Sequence, residues 1–417
     1  MMKSKQRIFY GWWIVVGCFF LNFSAIGVVF NTLGVFIRPV SESLGFTRGG
    51  FTLYFTISAL SMMFTAPFVG KLIERFSLRL VVTISSIILT ASFVLFSQCR
   101  TLGQFYILGV FSGIGLAGSS IIPVSNMITH WFVDKRGLAM GIVFAATGIG
   151  GLTANPLANW IIVNHGWQAA YLSLGLLVGI LTIPVAIFVV RGKPADMGLR
   201  PLGAEAAQAA EGELEGVTLT EAIKMSTFWL FALLILFTNI ANMGVLHHII
   251  PYLTDLGYAS STAAMLVSFH MGVLMIGKVV TGRVADKLGL IKCYVLLIIC
   301  MVASILLLYG MQVFWVAIAF CIIFGFASPV ITVFPPLFTA KYLGRKHFAI
   351  VYGVLSIFSA LGTALGTPLS GFIHDWTKSY YPAFAIYIGM AVIAGVVGLV
   401  VMNRGNKILE GLVKAAK

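Results

Sequence analysis

Residues Phe269 to Gly289 read FHMGVLMIGKVVTGRVADKLG, and this stretch decides the fold. It begins as an apolar helix, carries one cation at Lys278, and ends in Gly282-Arg283-Val284-Ala285-Asp286-Lys287-Leu288-Gly289. A lysine inside a bilayer helix costs about 2.5–3.5 kcal/mol on insertion scales, so by default it marks a functional site. An escape exists, because Lys278 lies one turn before Gly282 and its alkyl stem can carry the charge to the headgroups. Position alone leaves these two explanations level. The charged ending is not unique: Gly70-Lys71-Leu72-Ile73-Glu74-Arg75 repeats its pattern 212 residues earlier, about half the length of the chain.

The apolar character extends over the whole sequence. Of 417 residues, 59% are hydrophobic and 10% charged, with a mean hydropathy of +1.00, whereas a soluble domain carries about 25% charged residues. Runs of about 20 apolar residues recur throughout, each able to cross roughly 30 Å of hydrocarbon. They are too long for barrel strands, which would also alternate in polarity. The first run, 11–36, is too long for a signal-peptide core and lacks a small-x-small cleavage site. Twelve spans are expected, near 10–36, 49–70, 79–97, 103–130, 137–161, 168–190, 226–250, 261–282, 292–310, 313–338, 348–373 and 383–402.

A net charge of +14 could suggest nucleic acid, but its distribution argues against that. With the N-terminus inside, Arg38, Arg48, Arg100 and Lys378 fall outside and Lys278 within a span, leaving 22 of the 27 Lys and Arg residues on cytoplasmic segments. That bias fixes the orientation, with both termini cytoplasmic and a prokaryotic inner membrane as the expected location. The five cysteines stand singly, with neither metal spacing nor a disulfide framework, and no metal or cofactor is expected.

One long hydrophilic interruption, 191–225, holds Pro, Gly and six acidic residues and divides the spans six and six. The expected organisation is a six-helix bundle over 1–190, a cytoplasmic linker over 191–225, a second bundle over 226–402 and a tail over 403–417. A second echo joins Lys135-Arg136 before span five to Arg345-Lys346 before span eleven. Spans three, six, nine and twelve carry no internal charge, which suits lipid-facing scaffolding. Two six-helix halves with internal symmetry are expected of the major facilitator fold, an all-α membrane architecture of twelve transmembrane helices in two pseudo-symmetric bundles.

The two G-x-x-x-[DE]-[RK] stretches resemble the signature loop of that superfamily. The resemblance implies a conformational latch formed by Gly70, Glu74 and Arg75 and by Gly282, Asp286 and Lys287, away from substrate. The first copy departs in having Glu74 for Asp and Ser77 where a Gly is usual. Tyr10-Gly11-Trp12-Trp13-Ile14-Val15-Val16 resembles the aromatic-Gly entry to helix one of monocarboxylate transporters. Trp131 to Gly141, WFVDKRGLAMG, resembles that family's signature entering helix five. Lys193-Pro194-Ala195-Asp196-Met197-Gly198 is similar to the linker of bacterial monocarboxylate and oxalate–formate type carriers. The resemblance covers essentially the whole chain.

No enzyme constellation is visible, and no P-loop is present to cradle ATP. The thirteen Asp and Glu residues all fall in loops, linker, tail or helix ends. Lys278 therefore has no carboxylate partner at membrane depth, and a bound anion would remove the cost of leaving it unpaired. In the resembling family helix eight carries a substrate-binding Arg four residues before the signature Gly, and Lys278 holds that position. Mammalian members carry an Asp one turn earlier, where this chain has Leu274, so the resemblance supplies no membrane acid to carry a proton.

Other substrate-binding candidates are Asn22, Asn126 and Asn239, each on the first helix of a three-helix unit, with interhelical hydrogen bonding as the competing role. On helix two, Tyr54, Ser58, Ser61 and Thr65 form one polar stripe that suits a wetted wall or plain packing. His270 lies eight residues before Lys278, about 80° round the helix. His247 and His248 close helix seven, where an interfacial role competes. Together with Lys278, His270 and His247 are the candidates for proton coupling.

The expected function is secondary transport of small organic anions by alternating access, with monocarboxylates first and a proton as partner. Oxalate–formate type exchange ranks lower, since a dianion favours a second cation and Ser359 occupies the helix-eleven position where some such carriers place a Lys. A transporter-like sensor would usually add a soluble domain. The remaining expected partners are membrane lipids, with the chain as a monomer and no nucleic acid bound.

Overall fold

A computed structural model describes residues 9–132, 136–203, 217–344 and 348–415. Among them, eleven apolar helical runs are long enough to cross a bilayer. One of these, Leu138–Val189, has 52 residues and is two spans joined at Gly166, whose φ of 84° and ψ of 164° interrupt the helix. Twelve spans result: α1 Tyr10–Leu44, α2 Arg48–Arg75, α3 Leu78–Phe96, α4 Leu102–Trp131, α5 136–165, α6 167–189, α7 Ser226–Asp255, α8 Ser260–Leu288, α9 Leu290–Gly310, α10 Phe314–Tyr342, α11 Phe348–Thr377 and α12 Tyr381–Ala415.

The expected twelve spans are present, several of them longer than their apolar runs. The signature stretches at Gly70–Arg75 and Gly282–Lys287, expected in loops, are the last turns of α2 and α8. The true connections are only a few residues long. Ser77 caps α3 by accepting from the Leu80 N–H, with an ordinary φ of −65°. Its counterpart 212 residues on, Gly289, turns at φ 82°, a conformation glycine adopts without strain. A serine therefore serves in the first half because that corner is closed by a cap.

The lipid-facing role read for α3, α6, α9 and α12 fits their exposed apolar side chains: Ile84 and Ile87, Ile180 and Phe188, Ile299, and Val396. Exposure of 69% at Ile180 and 71% at Phe188 is tolerable only against hydrocarbon or a partner surface. Exposed Trp13 and Trp229 gather at the linker end, and Trp160, Trp315 and Trp376 at the opposite, far end, as in interfacial aromatic belts.

Glycines bring helices together inside each half. A Cβ on Gly27 would lie 2.6 Å from the Gly150 Cα, so α1 and α5 meet backbone to backbone. Gly362 and Gly366 do the same for α11 against α7 at Asn239 and Ile240. At the Gly27 crossing with α5, α1 widens into a π-helical turn over Phe23–Phe30. Both α4 and α10 break mid-span, at Ser120 and at the 3-10 turn Ser328–Ile331, with Pro123 and Pro335 just beyond. The linker docks symmetrically: Leu202 N–H donates to the Trp131 carbonyl at the end of α4, and Val217 N–H to the Leu343 carbonyl after α10.

Candidate functional site

Glycines along the inter-half faces of α2, α5, α8 and α11 show where the halves touch. At the far end and mid-depth they touch closely. A Cβ on Gly371 of α11 would lie 2.7 Å from the Gly49 Cα of α2, and one on Gly34 of α1 would lie 2.8 Å from the His247 carbonyl of α7. Gly148 and Gly151 of α5 face Met275 and Met271 of α8, and Thr56 donates to the Ala364 carbonyl. Whole numbers of turns toward the linker, the same faces present Gly70, Gly141, Gly282 and Gly353. None of these four has any atom within 4 Å of a built Cβ. The halves are sealed at the far end and parted toward the linker.

Lys278 lies seven residues beyond Met271, nearly two full turns, and so on the face of α8 that seals against α5. One turn further on, Gly282 meets open space. Lys278 thus sits where α8 leaves α5, half-buried at the wall of the parted region. The neighbouring positions on these four faces are apolar: Met63, Phe144, Met275 and Ile357. Among the described residues the ion pairs all gather at the far end, and none includes Lys278.

The remaining candidates do not converge on Lys278. Tyr54 is buried inside the first half, its hydroxyl 3.3 Å from that of Tyr171, among Phe51, Phe96 and Phe105. Its polar stripe is a packing face: Ser61 donates to the Val110 carbonyl of α4, and Gly113 of α4 abuts Ser58. That corrects the wetted-wall reading, because α2 turns Thr56, not Tyr54, toward the other half. Asn22 is buried and donates to the Val143 carbonyl at 3.4 Å. Asn239 donates to the Ile235 carbonyl and accepts from Ser359. Both tie helices within one half. Asn126 is half-buried on α4, its carbonyl 2.8 Å from His130 Nδ1.

His270 is buried against α10, its ring stacked on Phe324 at 4.9 Å and Nδ1 3.4 Å from the Cys321 carbonyl. It faces the interior of the second half. His247 is not interfacial; it is buried at the seam beside Phe30 and Phe55. His248 is likewise buried, bonded to Tyr380 and the Thr367 carbonyl. In the signature stretches Arg75 and Lys287 are exposed, and Arg75 lies over the Phe76 ring. The side chains of Glu74 and Asp286 lie outside the described residues, as do Lys135, Arg345 and Lys346.

Two features escaped the sequence reading. Asn31, at the end of the π-helical turn, donates to the Thr147 carbonyl at 3.1 Å. A Cβ on Gly151 would meet both Asn31 and Met271 at 3.1 Å, so the amide sits at the closed ceiling where α5 meets α8, about two turns along α8 from Lys278. The second feature is a polar seam at the far end. Arg48, at the start of α2, grips Asp255 of α7 through Nη1 and Nη2 of its guanidinium, at 2.5 and 2.8 Å, and donates to the Tyr380 hydroxyl at 2.9 Å. Asp375 of α11 accepts from the Arg48 and Gly49 backbone N–H groups at 3.0 and 2.7 Å, a carboxylate on a helix N-terminus. Read singly these were loop charges, since nothing in a sequence reports that four distant segments meet.

The Major Facilitator Superfamily model matches residues 12–340 and 249–414. The chain belongs to this superfamily. Among similar proteins of the superfamily, monocarboxylate transporter 12 of Xenopus laevis is 24% identical over 397 residues, covering 90% of this chain and 85% of the relative. Monocarboxylate transporter 13 of Bos taurus is 24% identical, covering 93% and 88%. The transporter YcxA of Bacillus subtilis is 23% identical, covering 89% and 90%. In fold, the chain matches a nucleoside transporter, NupG, with TM-score 0.73 and 11% identity over 93% of this chain and 99% of that one. A bacterial homologue of the lysosomal transporter Spinster, in an inward-facing and unoccupied conformation, matches with TM-score 0.70 and 16% identity over 98% of each chain. The protein is an integral membrane transporter of a small-molecule substrate.

Proposed function

We propose that this superfamily member moves small organic anions, with monocarboxylates such as lactate, pyruvate or a short-chain acid as the principal class. The observation that carries the reading is Lys278, a cation without an ion-pair partner among the described residues, placed where α8 parts from α5. An ammonium among apolar neighbours in a partly dehydrated space is costly to leave unmatched, and a carboxylate removes that cost. The names of the similar proteins agree with this substrate class. The Asn31 amide at the ceiling supplies a neutral donor and acceptor for the substrate's far end, a hydroxyl or keto group.

In this reading residues 1–190 and 226–402 rock as two bodies about the site, joined by the linker 191–225, with 403–417 as a tail. The linker and both termini face the cytoplasm of a prokaryotic cell, the parted side is the inward side, and the carrier acts as a monomer among membrane lipids. A proton accompanies the anion, and Lys278 is its proposed carrier, neutral in the empty site and charged beside a carboxylate. His270 and His247 are less suited, because their rings are packed against Phe324 and against Phe30 and Phe55. Exchange of dianions would favour a second cation, and at the corresponding α11 position Ser359 donates to Asn239. Thermal-shift screening of the purified protein against mono- and dicarboxylates tests the class. Stabilisation by carboxylates that disappears in Lys278→Gln supports it; stabilisation by sugars or organic cations alone sinks it.

A further inference from the structure

The far end holds a cavity of about 290 Å³ that the Lys278 site does not use. Its walls are the last turns of α1, the end of α5, and the corner where α7 passes into α8. The first two belong to one half and the corner to the other, so the walls come together only while the far end is sealed. Its size lies just under the roughly 300–1,000 Å³ of drug-sized ligand sites, which suits a small polar group. One edge is lipidic. Val163 of α5 lines the cavity yet is 65% exposed, and Trp160, one turn before it, is 59% exposed in the far-end aromatic belt. The mouth therefore opens sideways at the depth of the headgroups.

Three polar features of this cavity are left unsatisfied. On α1, Arg38 Nε donates to Glu42 at 2.7 Å, but Nη1 is 3.9 Å from Asp255, beyond hydrogen-bond reach. Asp255 is already held by Arg48, so both Nη groups of Arg38 and one oxygen of Glu42 remain available. On α5, Asn159 is only 5% exposed and makes no hydrogen bond among the described residues. A buried amide left without a partner costs about 1–3 kcal/mol. Ser260 begins α8, whose N-terminus has no side-chain cap and carries roughly half a positive charge. A bare anion would gain Arg38 and the α8 terminus but meet Glu42, and a bare cation would gain Glu42 but meet Arg38. A ligand with an oxyanion and a primary ammonium a few ångströms apart satisfies both, and its bridging oxygens can accept from Asn159.

We propose that this cavity binds the headgroup of a phosphatidylethanolamine from the far leaflet and that the bound lipid holds the far end sealed. The phosphate meets Arg38 and the α8 terminus, the ammonium meets Glu42, and the acyl chains leave past Val163 into hydrocarbon. Opening the far end draws α1 and α5 away from the α7–α8 corner and divides the site, so the lipid binds the sealed conformer and not the open one. Membrane composition thereby sets the balance between the two conformations. The proposal rests on alternating access but not on the identity of the substrate.

The test needs no substrate. Arg100→Cys and Val313→Cys, in a background freed of the five native cysteines, place spin labels on the two halves at the far end. Distances are measured in nanodiscs of phosphatidylcholine alone, or with phosphatidylethanolamine or phosphatidylglycerol added. Choline keeps the charges but has no N–H to give Glu42, and the glycerol headgroup keeps the anion without an ammonium. Ethanolamine lipid should raise the sealed-to-open ratio, by about tenfold when it stands at ten times its dissociation constant, and the other two should not. Arg38→Gln and Glu42→Gln should each lose the preference for ethanolamine while keeping both distance populations. Equal sealed populations of the parent in ethanolamine and choline discs overturn the proposal without recourse to any variant. So does a preference that persists undiminished in both variants, which would be a property of the bilayer as a whole. A shift given by soluble glycerophosphoethanolamine in choline discs, without a response to the lipid, overturns the lipid as occupant. Each of these results leaves the carboxylate reading standing, since that is decided by ligand binding at Lys278.

Discussion

Removing the Arg48 side chain should unlock the far end, and the structure allows the effect to be sized. Arg48 makes a bidentate pair with Asp255 and a third hydrogen bond to Tyr380, all across the halves. Its side chain is 12% exposed and that of Asp255 29% exposed. Fully exposed pairs contribute about 0–1 kcal/mol, and breaking a buried one costs about 3–5 kcal/mol because a charge is stranded. Partial exposure places Arg48→Ala between these, at about 2–3 kcal/mol. The loss falls on the sealed conformer alone, since the partners are apart once the far end opens. At 1.4 kcal/mol per decade, the sealed-to-open ratio should fall by roughly 30- to 150-fold. Distance measurement between labels at positions 100 and 313 reads this directly, and Asp255→Asn should give a smaller shift in the same direction. The double variant should cost less than the sum of the two, as the second change strands nothing new. A sealed population unchanged in Arg48→Ala would refute the assignment of these bonds as the seal of the far end.

Gly371→Val should wedge the same seam, because its Cβ would lie 2.7 Å from the Gly49 Cα; far-side labelling should rise while circular dichroism stays helical, and unchanged labelling would count against the close approach. Gly150→Val strikes within the first half, where a Cβ would meet the Gly27 Cα at 2.5 Å, so melting should fall by the equivalent of about 1–3 kcal/mol or more; a parent-like melting temperature contradicts the packing. His270→Phe should preserve uptake driven by a pH gradient, since the ring already stacks on Phe324 as an aromatic, and loss of that uptake would return histidine to the proton role. Lys278→Arg should still bind the anion but lose pH-driven accumulation, because a guanidinium does not deprotonate; accumulation equal to the parent's removes Lys278 as the proton site.

Most of the architecture was legible because hydrocarbon dictates it. Span number followed from run length, and the symmetry followed from two charged motifs 212 residues apart. The signature stretches were misplaced into loops because hydropathy fails at a helix end before the helix does; Gly70–Arg75 stays helical until the Ser77 cap takes over. The parts that failed were those set by which way a helix faces. A serine-tyrosine stripe on α2 reads identically whether it meets water or α4, and only the packing of Ser58 and Ser61 on α4 decides. Lys278 could be singled out because one charge in a long apolar run is costly wherever it faces. Arg48, Asp255 and Asp375 could not, because charges at helix ends are ordinary one at a time and gain meaning only when α2, α7 and α11 converge.

The central claim is that the ammonium of Lys278 is the charge partner of a carboxylate. Titration calorimetry on the purified parent and on Lys278→Gln, with a short monocarboxylate and its neutral amide as the paired ligands, tests it most directly. The parent should bind the acid and ignore the amide, and Lys278→Gln, still folded and melting at or above the parent temperature, should bind neither. Equal affinity of the parent and Lys278→Gln for the acid would contradict the claim and return Lys278 to an ammonium reaching for the headgroups.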